Sequence, residues 1–109
     1  MKKGEIWLFD LPSSDGNEQT GDRPAIIISV SSTANTVVII PFTTNLQALR
    51  FPFTLAIGPS KENGLLEESV ALIFQIRAID KKRIIKQTGK LEDKYLKETE
   101  NMLRKLLGI

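Results

Sequence analysis

Three polar segments lie beside apolar runs, and their residue types could act on a phosphate group. In chain order they comprise Glu18 and Gln19 with Arg23; Thr43, Thr44 and Asn45; and Gln75 and Arg77, followed by residues 80–83. A guanidinium binds two phosphate oxygens at once, a hydroxyl donates one hydrogen bond, and a carboxylate accepts a proton. Each segment alone is also typical of a surface turn or an ion pair, so the case depends on their combination.

The composition narrows the available chemistry. The chain has 109 residues, with no cysteine and no histidine. Disulfides, thiolate metal sites and imidazole ligands are therefore excluded, and so is the commonest general acid or base. Any catalysis must use carboxylates, hydroxyls, lysine, arginine or tyrosine.

The charge distribution leaves two interpretations open. The net charge is +2 with a pI near 9.0, which is compatible with nucleic-acid binding. Six cations lie between residues 77 and 90, and they form either a solvated basic face or a surface that follows a phosphate backbone. These cations are Arg77, Lys81, Lys82, Arg83, Lys86 and Lys90.

The N-terminal residues favour a cytoplasmic protein that has no membrane partner. Glu5 and Asp10 interrupt the first ten residues, where a signal peptide would need an unbroken apolar stretch. No apolar run approaches the roughly 20 residues of a membrane span.

Apolar runs place the first two polar segments at strand ends. Arg23 precedes the run at 25–28, and Thr43 follows the run at 37–40. Neither run alternates with polar residues, which predicts strands covered on both faces. Pro41 is expected to end central pairing or to lie at an edge. The predicted strands cover residues 5–9, 24–30, 37–40, 53–57 and 69–76, with a short sixth strand around 84–85.

The last two predicted elements complete the fold class. In the strand at 69–76, Gln75 and Arg77 are expected to share a face, since they alternate with Phe74 and Ile76. From Leu91 onward, apolar residues recur at helical spacing, which predicts a C-terminal helix of about 15 residues. One domain over 1–109 is therefore expected. It would be mainly β, a small curled antiparallel sheet or barrel capped by a helix.

Several motifs in order resemble the MazF/PemK family of bacterial toxins. Residues 16–24 have the pattern Gly-x-Glu-Gln-x-Gly-x-Arg-Pro and lead into an apolar strand that ends at Ser29. Residues 4–7 are similar to the family's opening strand, 40–44 to its Pro-x-Thr segment, and 75–83 to its late Gln-Ile-Arg motif. The resemblance covers nearly the whole chain.

The resemblance implies a fold, an activity and partners. The fold would be a small SH3-like, CcdB-type barrel that forms a homodimer. The activity would be cleavage of single-stranded RNA, usually mRNA, without metal or another cofactor. Attack by the 2′-hydroxyl would leave a 2′,3′-cyclic phosphate and a 5′-hydroxyl. A MazE-like antitoxin would block the RNA groove.

The resemblance also implies roles for residues of this chain. Arg23 and Thr43 correspond to the catalytic arginine and threonine, and Glu18 matches a glutamate implicated in activity. The RNA-binding residues expected are Gln19, Thr44, Gln75 and Arg77, together with Lys81 from the basic run. Phe74 stands where the family often has an acidic residue, and it either packs into the barrel or stacks on a base.

Two other functions fit the same fold class. A CcdB-like toxin would poison DNA gyrase by binding and would have no ribonuclease site. An inactive SH3-like module would bind peptides through an aromatic-lined groove, which this chain supplies poorly. A family member that retains antitoxin binding without cleavage is a third possibility.

Overall fold

The computed structural model describes residues 1–12 and 21–109. Within these residues the chain forms β-strands, short 3₁₀ turns and one α-helix. The strands and helix are β1 (Glu5–Leu11), β2 (Gly21–Val30), β3 (Thr36–Thr43), β4 (Thr54–Ile57), β5 (Ser69–Leu72), β6 (Arg77–Asp80), β7 (Ile84–Lys90) and α1 (Asp93–Leu107). The 3₁₀ turns cover Leu46–Arg50, Ile73–Gln75 and Lys81–Arg83.

The strands form one antiparallel sheet. Its order is β4-β5-β3-β2-β1-β7, and β6 pairs with β3 beside β5. The mainly β fold with a C-terminal helix is therefore confirmed. Among the described strands the path ends at β4 and at β7, so the sheet is not closed into the expected barrel.

The central strands are covered on both faces, as their apolar runs predict. Ile26 and Ile40 are fully buried in a core that also contacts the helix. Ile27 and Ile39 are fully buried in a second core on the other face. Consecutive apolar residues on β2 and β3 thus enter different cores, which removes any need for alternation.

Strand β3 changes its neighbour near Pro41. Its first half pairs with β6 up to Ile39, and its last two residues pair with β5 from Phe42 onward. Pro41 lies at this change of partner, opposite Ala25 of β2. A residue without an N–H is tolerated there because the ladder on one side is already interrupted.

The strand predicted at 69–76 is wrong in its second half. The structure has β5, then the 3₁₀ turn Ile73–Gln75, then β6. Because β5 and β6 lie end to end along β3, the chain needs a turn to step from one position to the next. Gln75 lies in that turn and Arg77 begins β6, so the two do not share a face of one strand.

The helix confirms its prediction. It has 15 residues and is capped at its C-terminal end by Gly108, which adopts a left-handed φ of 72°. Its apolar stripe packs against the first core, and Thr99 is fully buried in the same stripe. Among the described residues, no helix is long and apolar enough to span a membrane.

A buried asparagine joins the loop before β5 to the start of the helix. Asn63 is fully buried, and its Oδ1 accepts hydrogen bonds from the amides of Ser60 and Leu65, both at 3.0 Å. Its Nδ2 donates to the Gly58 carbonyl at 2.9 Å and to Glu92 Oε1 at 3.2 Å. We call this cluster the Asn63 hub, and it fixes a turn that the Asn-Gly sequence predicts.

Candidate active site

Arg23 lies near the start of β2. It is half-buried, and it pairs with Phe9 of β1 on the face that carries the second core. Arg23 also makes an interaction within the protein. The pairing with β1 fixes the backbone from which its guanidinium extends.

Thr43 ends β3 close to this position. The β2–β3 ladder runs from Val30↔Val37 to Ala25↔Pro41, and two further steps in the same register would set Thr43 opposite Arg23. On the other side of β3, Thr43 pairs with Val70 of β5. The β2–β3 ladder itself ends at Ala25↔Pro41, so Arg23 and Thr43 lie on neighbouring strands two residues beyond its last pair.

The hydroxyl of Thr43 is ordered by its own turn. Thr43 is 8% exposed, and its Oγ1 accepts a hydrogen bond from the Asn45 amide at 3.2 Å. This bond uses a lone pair of the oxygen, so the hydroxyl proton can be donated to a ligand. The turn continues through Asn45, whose side chain caps the following 3₁₀ segment by accepting from the Gln47 amide.

Thr43 and Gln75 line the same open groove, which has a volume of about 450 Å³. We call it the Thr43 groove. Amide side chains and aromatic rings also contribute to its walls. A groove of mixed polar and apolar character suits a heterocyclic base with hydrogen-bonding edges.

Thr44 lies on a different surface. It is exposed and lines a second groove of about 580 Å³, together with Leu8 and Pro24. Thr44 lies just after the end of β3, and the chain bends there away from the Thr43 groove. The structure therefore brings Gln75 to Thr43 but does not bring Thr44 to it.

The two cations among the predicted RNA-binding residues differ in position. Arg77 pairs with Ile39, half-way along β3, on the face that also carries Arg23. Lys81 follows the other end of β3, where its Nζ donates to the Ser31 carbonyl. Lys81 lies opposite Asn35 and is therefore roughly 25 Å along the strand from Thr43. The predicted residues Glu18 and Gln19 lie outside the described residues.

Sequence reasoning missed part of the groove wall. Arg50 ends the 3₁₀ turn after Thr43 and Phe51 follows it, and both line the Thr43 groove with Phe74. The available signal was the run Leu-Arg-Phe-Pro-Phe at 49–53, which places aromatic residues and a cation in a loop. Its contact with Phe74 depends on the pairing of β4 with β5, which the local sequence does not reveal.

The basic run is partly neutralised by carboxylates. Arg83 approaches Asp10 at 3.7 Å, and Lys82 approaches Asp80 at 3.8 Å. These pairs are exposed and each contributes little to stability. The six cations therefore do not form one continuous face, since Arg77 and Lys81 lie beside β3 whereas Lys86 and Lys90 lie on β7.

Comparison with known proteins identifies the family. Residues 2–107 match the model for PemK-like, MazF-like toxins of type II toxin–antitoxin systems. The chain is 35% identical to the endoribonuclease MazF of Staphylococcus saprophyticus over 113 positions, which cover 100% of this chain and 92% of that protein.

Solved structures share the fold. MazF from Deinococcus radiodurans superposes with a TM-score of 0.83 at 24% identity, covering 100% of this chain and 97% of that one. A mycobacterial endoribonuclease solved with its cognate antitoxin gives a TM-score of 0.73 at 22% identity, covering 98% and 94%. The resemblance found in the sequence motifs is thus confirmed. This chain belongs to the PemK-like, MazF-like toxin family of type II toxin–antitoxin systems.

Proposed function

We propose that the protein is an endoribonuclease toxin that cleaves single-stranded RNA at a phosphate held between Arg23 and Thr43. The observation that carries this proposal is the position of the two residues, which lie on neighbouring strands just beyond the end of the β2–β3 ladder. Kinship supports it, since a relative 35% identical over the whole chain is named an endoribonuclease. The same kinship favours RNA cleavage over gyrase poisoning or passive binding.

The chemistry suits a chain without histidine because RNA supplies its own nucleophile. The 2′-oxygen forms a bond to phosphorus while the bond from phosphorus to the 5′-oxygen breaks. The 2′-hydroxyl proton passes to a base, and the leaving 5′-oxygen takes a proton from solvent. The products are a 2′,3′-cyclic phosphate and a 5′-hydroxyl, and no metal is required.

Each residue has a distinct role in this scheme. The guanidinium of Arg23 binds two phosphate oxygens and stabilises the added negative charge, since its very high pKa makes it a poor proton donor. The hydroxyl of Thr43 donates a hydrogen bond to the developing oxyanion. Glu18 is the proposed base. Gln75 and Arg77 are proposed to contact RNA in and beside the Thr43 groove.

The proposal extends to partners and location. MazF of Deinococcus radiodurans has been solved with MazE, at a TM-score of 0.75 to this chain. By kinship we infer that this chain also binds a MazE-like antitoxin, which would cover the RNA groove, and that it forms a homodimer. Its mRNA substrate would place it in the cytoplasm.

The proposal is tested with purified, antitoxin-free protein and a long single-stranded RNA in the presence of EDTA. We expect discrete cuts with 5′-hydroxyl ends. The cleavage rate should fall by about 100-fold or more in Arg23→Ala and in Thr43→Ala, as when an oxyanion donor is removed. Intact RNA with folded wild-type protein, or full cleavage by both variants, would refute the site. Inhibition of gyrase without RNA cleavage would support the CcdB-like function instead.

A further inference from the structure

Two phenylalanine rings stand side by side on the rim of the Thr43 groove. Phe51 is 48% exposed and Phe74 is 40% exposed. Their ring centroids are 6.2 Å apart with an interplanar angle of 53°. The guanidinium carbon of Arg50 lies 5.1 Å from the centre of the Phe51 ring. We call Phe51 and Phe74 the aromatic rim.

The backbone holds both rings in place. The pairing of Thr54 with Leu72 sets the residues before β4 beside those after β5. The Phe74 amide then donates to the Phe53 carbonyl at 3.3 Å, and the Thr54 hydroxyl donates to the Phe51 carbonyl at 2.9 Å. The rim is therefore an ordered surface that exists before a ligand arrives.

The segment that carries the rim is strained. Phe53 has a φ of 59°, in the left-handed region that bulky residues rarely occupy. Such a conformation costs about 1–3 kcal/mol and is retained where the surrounding structure enforces it, most often at ligand sites. The strained residue lies between Phe51 and β4. The left-handed conformation at Phe53 therefore belongs to the segment that positions the exposed Phe51 ring.

We propose that the aromatic rim is a base-stacking subsite for single-stranded RNA. It would take the base of a nucleotide next to the phosphate held at Thr43, because Thr43 and both rings line one groove. Bases of any sequence stack on aromatic rings, and a neighbouring arginine adds a cation for the phosphate. The inference rests on the proposed ribonuclease function and adds a substrate contact to it.

The remaining groove wall favours a nucleotide base over an apolar protein side chain. Asn45 and Gln47 line the groove beside the rings. Their amide groups can donate to and accept from the edges of a base. An apolar side chain would cover these amides without pairing them, which costs binding energy.

The first experiment measures RNA binding separately from cleavage. The probe is a fluorescent 2′-fluoro oligonucleotide of about ten residues, which lacks the nucleophile and matches typical single-strand site sizes. One probe is oligoadenylate and another is centred on a mapped cut. In fluorescence anisotropy, Phe51→Ala and Phe74→Ala should each bind about tenfold or more weakly. Phe51→Tyr and Phe74→Tyr should restore binding.

The matched controls are Leu46→Ala and Leu49→Ala. Both leucines lie in the adjoining 3₁₀ turn, and they are 46% and 43% exposed, close to the values for the rim. Neither leucine is among the described residues that line the Thr43 groove. Both variants should bind within about twofold of wild type. Because all four positions are half exposed, melting temperatures should stay close to wild type.

The second experiment couples the rim to a single base. Abasic sites are placed at successive positions of the cut-centred probe, and a double-mutant cycle is measured with Phe74→Ala. At one abasic position, Phe74→Ala should weaken binding no further than the abasic site alone does, because the base that would stack on the ring is already missing. Equal binding by wild type and both alanine variants, or a penalty that no abasic position removes, would overturn the subsite.

The two proposals fail in distinguishable ways. Wild-type protein that cleaves RNA while the alanine variants bind and cut normally would remove the subsite and leave the ribonuclease. RNA binding that depends on the two rings, without any cleavage, would support the subsite and refute the ribonuclease function. Alanine variants that lose antitoxin binding but retain RNA binding would assign the rim to a protein partner and so overturn the stacking role.

Discussion

The Asn63 hub and the aromatic rim both lie beside β5, and they use their side chains in opposite ways. At the hub, a fully buried asparagine has all of its amide atoms bonded within the chain. At the rim, two phenylalanines remain half exposed, and the segment between Phe51 and β4 carries a left-handed φ at Phe53. The hub satisfies its own polar groups, whereas the rim leaves apolar surface uncovered.

This difference indicates that the Asn63 hub belongs to the structural scaffold and the aromatic rim to the binding site. A buried amide with every hydrogen bond made stabilises one arrangement of the backbone and has no capacity left for a ligand. An exposed aromatic pair on a strained segment lowers the stability of the fold. Such features are usually found at binding sites. We therefore expect changes at the hub to alter stability and changes near the rim to alter activity.

The largest expected effect falls on activity, at Thr43. Thr43→Val keeps the shape of the side chain and removes the hydroxyl, so the cleavage rate should fall by about 100-fold or more. The fold should lose only about 1 kcal/mol of stability, because the Asn45 amide loses its acceptor. Thr43→Ser should recover much of the rate. Initial rates on a fluorescent RNA and thermal melting on the same samples provide the measurement.

The neighbouring threonine sharpens this test. Thr44→Val should lower the rate by no more than about tenfold, because Thr44 lines the other groove. Thr36→Val, at the opposite exposed end of β3, serves as the control with the wild-type rate. Equal losses for Thr43→Val and Thr44→Val would contradict the division between the two grooves.

A large loss of stability is expected from a substitution at Gly64, the residue that follows Asn63 in the hub turn. A Cβ on Gly64 would lie 1.9 Å from the Thr88 carbonyl oxygen, and its φ of +69° already disfavours a side chain. Gly64→Ala should therefore destabilise the fold by about 3 kcal/mol. The matched control is Gly58→Ala, where a Cβ meets nothing within 4 Å. Urea denaturation monitored by circular dichroism measures both, and similar midpoints would contradict the close contact.

The two regions also differ in how far the sequence predicts them. The uninterrupted apolar runs of β2 and β3 predict strands buried on both faces, and so place Arg23 and Thr43 at strand ends. The placement of Thr43 and Thr44 in separate grooves follows only when the end of β3 is known. The step from β5 to β6 and the approach of Phe51 to Phe74 depend on pairings between distant segments, which a local pattern does not encode.

The hub itself is tested by Asn63→Ala, for which we expect a loss of about 2 kcal/mol. The change leaves the amides of Ser60 and Leu65 and the Gly58 carbonyl without their partner, and buried unpaired groups are costly. The cleavage rate per folded molecule should be unchanged, because the hub does not line the Thr43 groove. A rate that falls while the urea midpoint stays constant would reverse the assignment of scaffold and site.

The smallest effect is a pH dependence at Glu5, in the scaffold at the start of β1. Burial raises the pKa of the Glu5 carboxyl, but hydrogen bonds from the Trp7 indole at 2.9 Å and the Lys2 amide at 2.9 Å, together with the positive charges of the N-terminus and Lys2, outweigh it. The net pKa therefore lies below its ordinary value of 4.5. A carboxyl with a lowered folded pKa stabilises the protein above its unfolded pKa and loses that contribution as the pH falls through the folded pKa.

The measurement compares wild type with Glu5→Gln between about pH 7 and pH 3. Wild type should be the more stable above about pH 5, and the difference in melting temperature should shrink as the pH falls toward 3. Trp7 is the chain's single tryptophan, so its fluorescence reports the same titration locally. A stability difference that stays constant over this range would show that the indole hydrogen bond does not depend on the charge of Glu5.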